Sequence, residues 1–228
     1  MDVRWYGRLG LAGVGGFLLL LGLLHLVEPG FSVVDDYTSD YALGDHGWLM
    51  KVAFGSAGVG VAGVALGLRA VLRPGRRVVL AWVLLLVAAA GFVVVAIFDT
   101  DPTGATELTG HGTVHVAAAA VLFLCLLVDC WVLRGVFARD AGWFRFAKAQ
   151  RWWALAYTAA FIDSLFLPTP AGIGQRVFVS VLMAWLLTLA WRLRGAGANE
   201  SRPAAGTGAR RRADPSHWNR SNVFPGQS

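Results

Sequence analysis

Six apolar runs, each long enough to cross a lipid bilayer, leave this chain few alternatives. A hydrocarbon core about 30 Å thick takes roughly 20 residues of helix at about 1.5 Å per residue. Runs of that kind extend over Leu9–Val27, Trp48–Leu72, Val78–Phe98, Thr113–Val136, Trp152–Leu167 and Gln175–Trp191. They are too long and too uniformly apolar for the alternating strands of a membrane barrel. Hydrophobic residues make up 56% of the chain and charged ones 15%, against about 25% charged in a soluble domain. The expected fold is all-α: a six-span transmembrane helical bundle over residues 1–194, then a disordered basic tail over 195–228. That tail, rich in Gly, Ala, Arg, Pro, Ser and Asn, carries too few large apolar side chains to fold alone.

Charge gives the direction of threading. Of twenty Lys and Arg, all but Lys51 and Arg176 fall at the N-terminus, after spans two and four, or in the C-terminal segment. The positive-inside rule then puts both termini in the cytoplasm. Eight of fourteen carboxylates, from Glu28 to Glu107, lie in the first two loops of the other side. The net charge of +6 is thus a threading signal, and nucleic acid is excluded as a partner. Arg4 and Arg8 before the first run resemble a signal peptide, but Glu28-Pro29 replaces the small-residue cleavage pattern, so the run is read as a retained helix.

The two cysteines, Cys125 and Cys130, point apart on one helix and exclude a disulfide framework. His46-Gly47, His111-Gly112 and Arg176 recur at intervals of 65 residues, the trace of three stacked helical hairpins.

Polar groups at membrane depth are costly unless they face other helices or water. On span four, His111, His115, Ala118, Leu122, Cys125 and Asp129 share one face, expected to look inward. The paired imidazoles are candidates for a metal or a proton relay; hydrogen bonding to loop groups is the plainer reading. His25 falls in line with Gly15, Leu18 and Gly22, a small-residue stripe expected to face neighbouring helices. Ser56, Gly60, Gly63 and Gly67 form a packing seam on span two. Spans one, two and four are therefore expected to meet, bringing His25, His111 and His115 to one outer vestibule. Asp163 lies near mid-membrane, with Lys51 and Arg176 as expected partners. Asp129 reads as a local or snorkelling acid.

Ser39-Asp40-Tyr41-Ala42-Leu43-Gly44, then Gly47-Trp48-Leu49-Met50, and Phe98-Asp99-Thr100-Asp101-Pro102 leading to His111 and His115, resemble the prokaryotic integral membrane family catalogued as domain of unknown function 998. The resemblance covers about residues 5–195. It implies a six-span bundle in the cytoplasmic membrane and no particular reaction. Ser39, Gly44, Gly47, Asp101 and His115 correspond to that family's recurrent outer-loop features. A looser likeness, through the His-x-x-x-His pair and outer acids, is to membrane hydrolases that include alkaline ceramidases. Those have seven spans with the pair on the last, whereas here it is on the fourth.

The expected function is an outer-facing polar vestibule that binds or moves a lipid headgroup or small solute, with His25, His115, Asp163, Asp101 and Ser39 facing the ligand. The alternative is a metal-dependent membrane hydrolase or transferase acting on lipid. In that reading His111 and His115 hold a metal-bound water and Asp101 acts as base. A proton-coupled carrier using Asp163, and a haem protein with His25 and His115 as axial ligands, are further readings. Membrane lipids are the expected partners, a homo-oligomer is an open assembly, and a metal is the one cofactor the residues raise.

Overall fold

The computed structural model describes residues 2–200. These residues contain no strand and six long helices: α1 (Val3–Val27), α2 (Gly47–Val71), α3 (Arg76–Ile97), α4 (Gly110–Phe137), α5 (Ala147–Phe166) and α6 (Ala171–Glu200). Each apolar run falls on one helix, to within a residue at its end. All but α5 are long and apolar enough to cross a bilayer. α5 has 20 residues, but Lys148, Gln150 and Arg151 near its start and Thr158, Asp163 and Ser164 further along dilute its apolar content. α6 continues past position 194 to Glu200, and the remainder of the basic tail lies outside the described residues.

Local signals set the starts of two helices. Asp2 Oδ1 accepts the Arg4 N–H at 3.0 Å, and Thr109 Oγ1 accepts the Gly112 N–H at 3.0 Å. Each satisfies a donor that the first helical turn leaves free.

Every helix packs antiparallel against its neighbours in sequence, and α6 closes the ring against α1 while also touching α2. The up-and-down order gathers Arg4, Arg8, Arg69, Arg76, Arg134, Arg151 and Arg192 at one end, here called the basic end. Glu28, Asp40, Asp99 and Asp101 gather at the other, the acidic end.

The α1–α2 contact depends on glycine. A Cβ on Gly60 would lie 2.7 Å from the Val14 backbone nitrogen, and one on Gly63 3.0 Å from that of Gly10, while a Cβ on Gly13 would collide with the Gly60 backbone. Ser56 Oγ donates across the seam to the Gly13 carbonyl at 2.8 Å. Close backbone approach of this kind replaces the hydrophobic drive that lipid removes. The expected seam on α2 is therefore the observed one. On α1 the contact instead uses Gly10, Gly13 and Gly16, with Gly7 set against α6, whereas added side chains at Gly15 and Gly22 would meet open space.

At the basic end, Gln150 is fully buried. It accepts the Trp185 indole N–H at 2.9 Å and donates to the Cys130 carbonyl at 2.9 Å, tying α4, α5 and α6 together. Both cysteine thiols are free. Trp143 stacks on Phe137 with centroids 4.6 Å apart, and the Arg192 guanidinium lies 4.7 Å from the Trp143 centroid in a cation–π contact.

Candidate functional site

The acidic end is organised by three carboxylates, one at each helix-to-helix connection. Glu28, just past α1, accepts the His46 backbone N–H at 2.5 Å and its ring Nδ1–H at 3.0 Å, at the start of α2. Asp101 accepts the Thr109 N–H at 2.8 Å and its hydroxyl at 2.9 Å, at the start of α4. Asp163, near the end of α5, accepts the Thr169 hydroxyl at 3.1 Å, just before α6. A negative charge at a helix N-terminus is favoured by the free N–H groups and the macrodipole. Glycine makes room for two of these latches. A Cβ on Gly44 would lie 2.6 Å from Glu28 Cδ, and one on Gly112 would overlap the Asp101 carboxylate.

The first connection is also fastened to the rest of the acidic end. Thr38 N–H donates to Gln175 Oε1 at 2.5 Å, and Tyr37 N–H to Thr103 Oγ1 at 3.0 Å. Thr103 N–H donates in turn to Asp40 Oδ2 at 3.0 Å. Arg176 donates to the carbonyls of Asp36 at 2.7 Å and Gly172 at 3.1 Å, and to His25 Nε2 at 3.3 Å. Burial pushes the Asp40 carboxyl above its ordinary 3.8, with the Asp36 charge adding to the shift and hydrogen bonds from Thr103 and Tyr37 opposing it.

Beneath this roof lies a cavity of ≈ 490 Å³, within the roughly 300–1,000 Å³ range of small-molecule sites. Phe17, Phe54 and Phe92, from α1, α2 and α3, line its back, together with His115. Its floor is an aromatic cluster in which Phe178 meets Phe123 edge-on at 4.9 Å and Phe161 at 5.6 Å. Its roof carries Thr38, Ser39, Thr100, Thr103 and Gln175. Thr38 is 4% exposed, and its hydroxyl oxygen has no hydrogen-bond partner among the described residues.

α4 and α5 are joined towards the basic end by Tyr157 O–H donating to the Phe123 carbonyl at 3.1 Å and by the Trp131 indole N–H donating to Thr158 at 3.1 Å. Beyond Phe123 the cavity lies between them. Val116 and Leu124 on α4 and Leu165 on α5 line it, yet are about half exposed, at 47%, 49% and 58%. They form a rim that opens sideways on the flank of the bundle.

Of the expected site residues, His115, Asp101 and Ser39 line this cavity; His25, His111 and Asp163 do not. His115 is 4% exposed, with Nδ1–H donating to the Phe98 carbonyl at 2.8 Å. His111 packs on the Phe98 ring with centroids 5.3 Å apart. The histidine stripe of α4 thus faces α3, with Leu122 against Gly91 further along it. α4 packs mainly on α3 and α5, and reaches α2 through the Phe54–His115 contact at 6.1 Å. His25 donates from Nδ1 to the Leu21 carbonyl at 2.7 Å and accepts from Arg176, so both ring nitrogens are engaged away from His115.

The partners expected for Asp163 are used elsewhere: Lys51 pairs with Asp99 at 2.7 Å, and Arg176 clasps the first connection. Asp129 does not snorkel. It is fully buried and neither carboxylate oxygen has a partner among the described residues. Among the described residues no three His, Cys, Asp or Glu side chains gather to hold a metal ion. The His111–His115 pair alone falls short of the three protein ligands of a catalytic zinc site.

The aromatic floor and the Thr38–Gln175 roof were not legible as a site. Phenylalanine is common in any apolar helix, and only the tertiary fold collects these rings from different helices.

A family model described as protein of unknown function (DUF998) matches residues 11–192. The chain belongs to this family. The match covers all six helices in whole or in large part, so the cavity is contained in the DUF998 region. No curated protein and no solved structure matches the chain.

Proposed function

We propose that this protein is a six-span protein of the cytoplasmic membrane with both termini cytoplasmic, and that its cavity binds a membrane amphiphile drawn from the outer leaflet. Six spans are supported by α5, which lies antiparallel between α4 and α6 and buries Gln150 and Tyr157 against them. Gln150, Tyr157, Thr158, Asp163 and Ser164 hydrogen-bond inside the chain, and Lys148 and Arg151 are exposed at the basic end, so its lower hydropathy does not keep it out of the bilayer. The orientation is supported by the concentration of Arg and Lys at the basic end, which makes the acidic end the outer one.

The observation that carries the binding reading is the cavity's two-part lining: phenylalanine walls below, and hydroxyl and amide groups above, with the Thr38 hydroxyl buried and unpartnered among the described residues. Apolar walls take a chain or ring system, because burying apolar surface is favourable at about 25 cal/mol per Å². The roof takes a polar end. The sideways opening at Val116, Leu124 and Leu165 gives lipid direct access without crossing water. Compared with the polar vestibule expected from sequence, this reading keeps His115, Asp101 and Ser39 at the ligand and assigns His25 and Asp163 to holding the connections.

Ala119 lines the cavity, so Ala119→Trp fills it from one wall. Mass spectrometry of lipid retained by detergent-purified protein is expected to find an amphiphile on the wild type that the variant lacks. The same retained lipid on both proteins overturns the reading.

A further inference from the structure

We infer that the amphiphile bound in this cavity carries an uncharged, hydrogen-bonding head: a hydroxyl or carbonyl end in place of a phosphate, carboxylate or amine. The inference rests on the cavity being an amphiphile site, as proposed above, and narrows its ligand.

The charge of the lining decides the matter. Among the described residues no Lys or Arg lines the cavity. Neither Lys51 nor Arg176, the cations of the acidic end among the described residues, is in that lining: Lys51 pairs with Asp99, and Arg176 holds the Asp36 and Gly172 carbonyls and His25, its Nη2 buried without a partner among the described residues. A phosphate drawn under the roof would lose its water and gain no counter-charge. An unpaired buried charge costs far more than an unpaired dipole. A cationic head meets a single carboxylate, Asp101, whose oxygens each accept a hydrogen bond from Thr109 and whose charge the α4 N-terminus offsets in part, so it finds only a weakened counter-charge.

What the roof does offer is neutral. The Thr38 hydroxyl is buried without a partner among the described residues. Gln175 uses its oxygen for Thr38 N–H, and His115 uses Nδ1 for the Phe98 carbonyl. The Gln175 amide N–H₂ and the His115 Nε2 are thus the further polar atoms of these lining residues. A glycerol-like or alcohol head, able both to donate and to accept, matches them.

The test measures thermal protection of the purified, delipidated full-length protein by four probes: monoolein, oleoyl lysophosphatidate with the same chain and a charged head, oleylamine, and glycerol alone. Monoolein is expected to protect at concentrations at least tenfold below those needed for lysophosphatidate or oleylamine, with glycerol inactive. Thr38→Val, which removes a hydroxyl that no described residue uses, is expected to weaken monoolein protection about three- to tenfold while leaving the ligand-free melting temperature unchanged. Equal or stronger protection by lysophosphatidate or oleylamine overturns the uncharged head and leaves the amphiphile reading standing. No protection by any chain-bearing probe overturns both.

Discussion

The Asp101 carboxylate occupies the space that a side chain on Gly112 would fill, and binds Thr109 through both oxygens. An acid that the sequence offers as a general base is, in the fold, the clamp that closes the second acidic-end connection onto α4.

This relationship gives the first prediction. Gly112→Ala forces the carboxylate out and is expected to lower stability by about 0.5–2 kcal/mol, the range for losing a helix N-cap. Asp101→Ala should cost a similar amount, and the double variant little more than either alone, because both break one interaction. Thermal melts in detergent check it; additive losses would show that the two residues act separately.

Arg176 holds the first connection against α6 through the Asp36 and Gly172 carbonyls and His25. Arg176→Gln should free that segment without unfolding the bundle. Hydrogen exchange over residues 31–45 is expected to accelerate about tenfold, matching the loss of roughly 1.5 kcal/mol from a charge-assisted hydrogen bond. Exchange over α2 and α3 should not change.

The α1–α2 seam leaves no room at Gly13 or Gly60. Gly60→Leu is expected to abolish stable expression, whereas Gly15→Leu, whose side chain would enter open space, should express as wild type. Monodispersity by size-exclusion chromatography distinguishes them.

Asp40 supplies a pH signature. Burial, helped by Asp36, raises its folded-state value above 3.8, so the fold prefers the protonated acid. The stability this contributes is present at pH below 3.8 and is lost as pH rises through the raised folded-state value. Asp40→Asn, which keeps an oxygen for the Thr103 N–H, should flatten that fall and be the more stable protein at neutral pH. A variant whose pH–stability profile follows the wild type would remove Asp40 as its source.

The apolar runs made the helices legible, and the basic residues at alternate connections made their up-and-down order legible. α5 was the least marked helix because Gln150 and Asp163 lie within it. The packing of Gln150 against Trp185 and Cys130 explains how a bundle tolerates such residues. The α2 glycine seam was readable from spacing alone. On α1 it was not, since two sets of glycines at helical spacing compete and only the register against α2 selects Gly10 and Gly13. The carboxylates were visible as a cluster, but not their use: Thr109 lies eight residues beyond Asp101, and the turn that returns it belongs to the fold. His115 and Asp101 were singled out as chemical groups, whereas the surface they border is mostly apolar, with phenylalanines from all six helices among it.

Whether a membrane amphiphile occupies the cavity is tested most directly by placing a photoreactive phenylalanine analogue at Phe178, in the cavity floor, and irradiating intact membranes. The expected result is a covalent adduct whose mass matches a chain-bearing amphiphile and which disappears when Ala119→Trp is added. Recovery of unmodified protein, or of an adduct that persists in the filled variant, would contradict it.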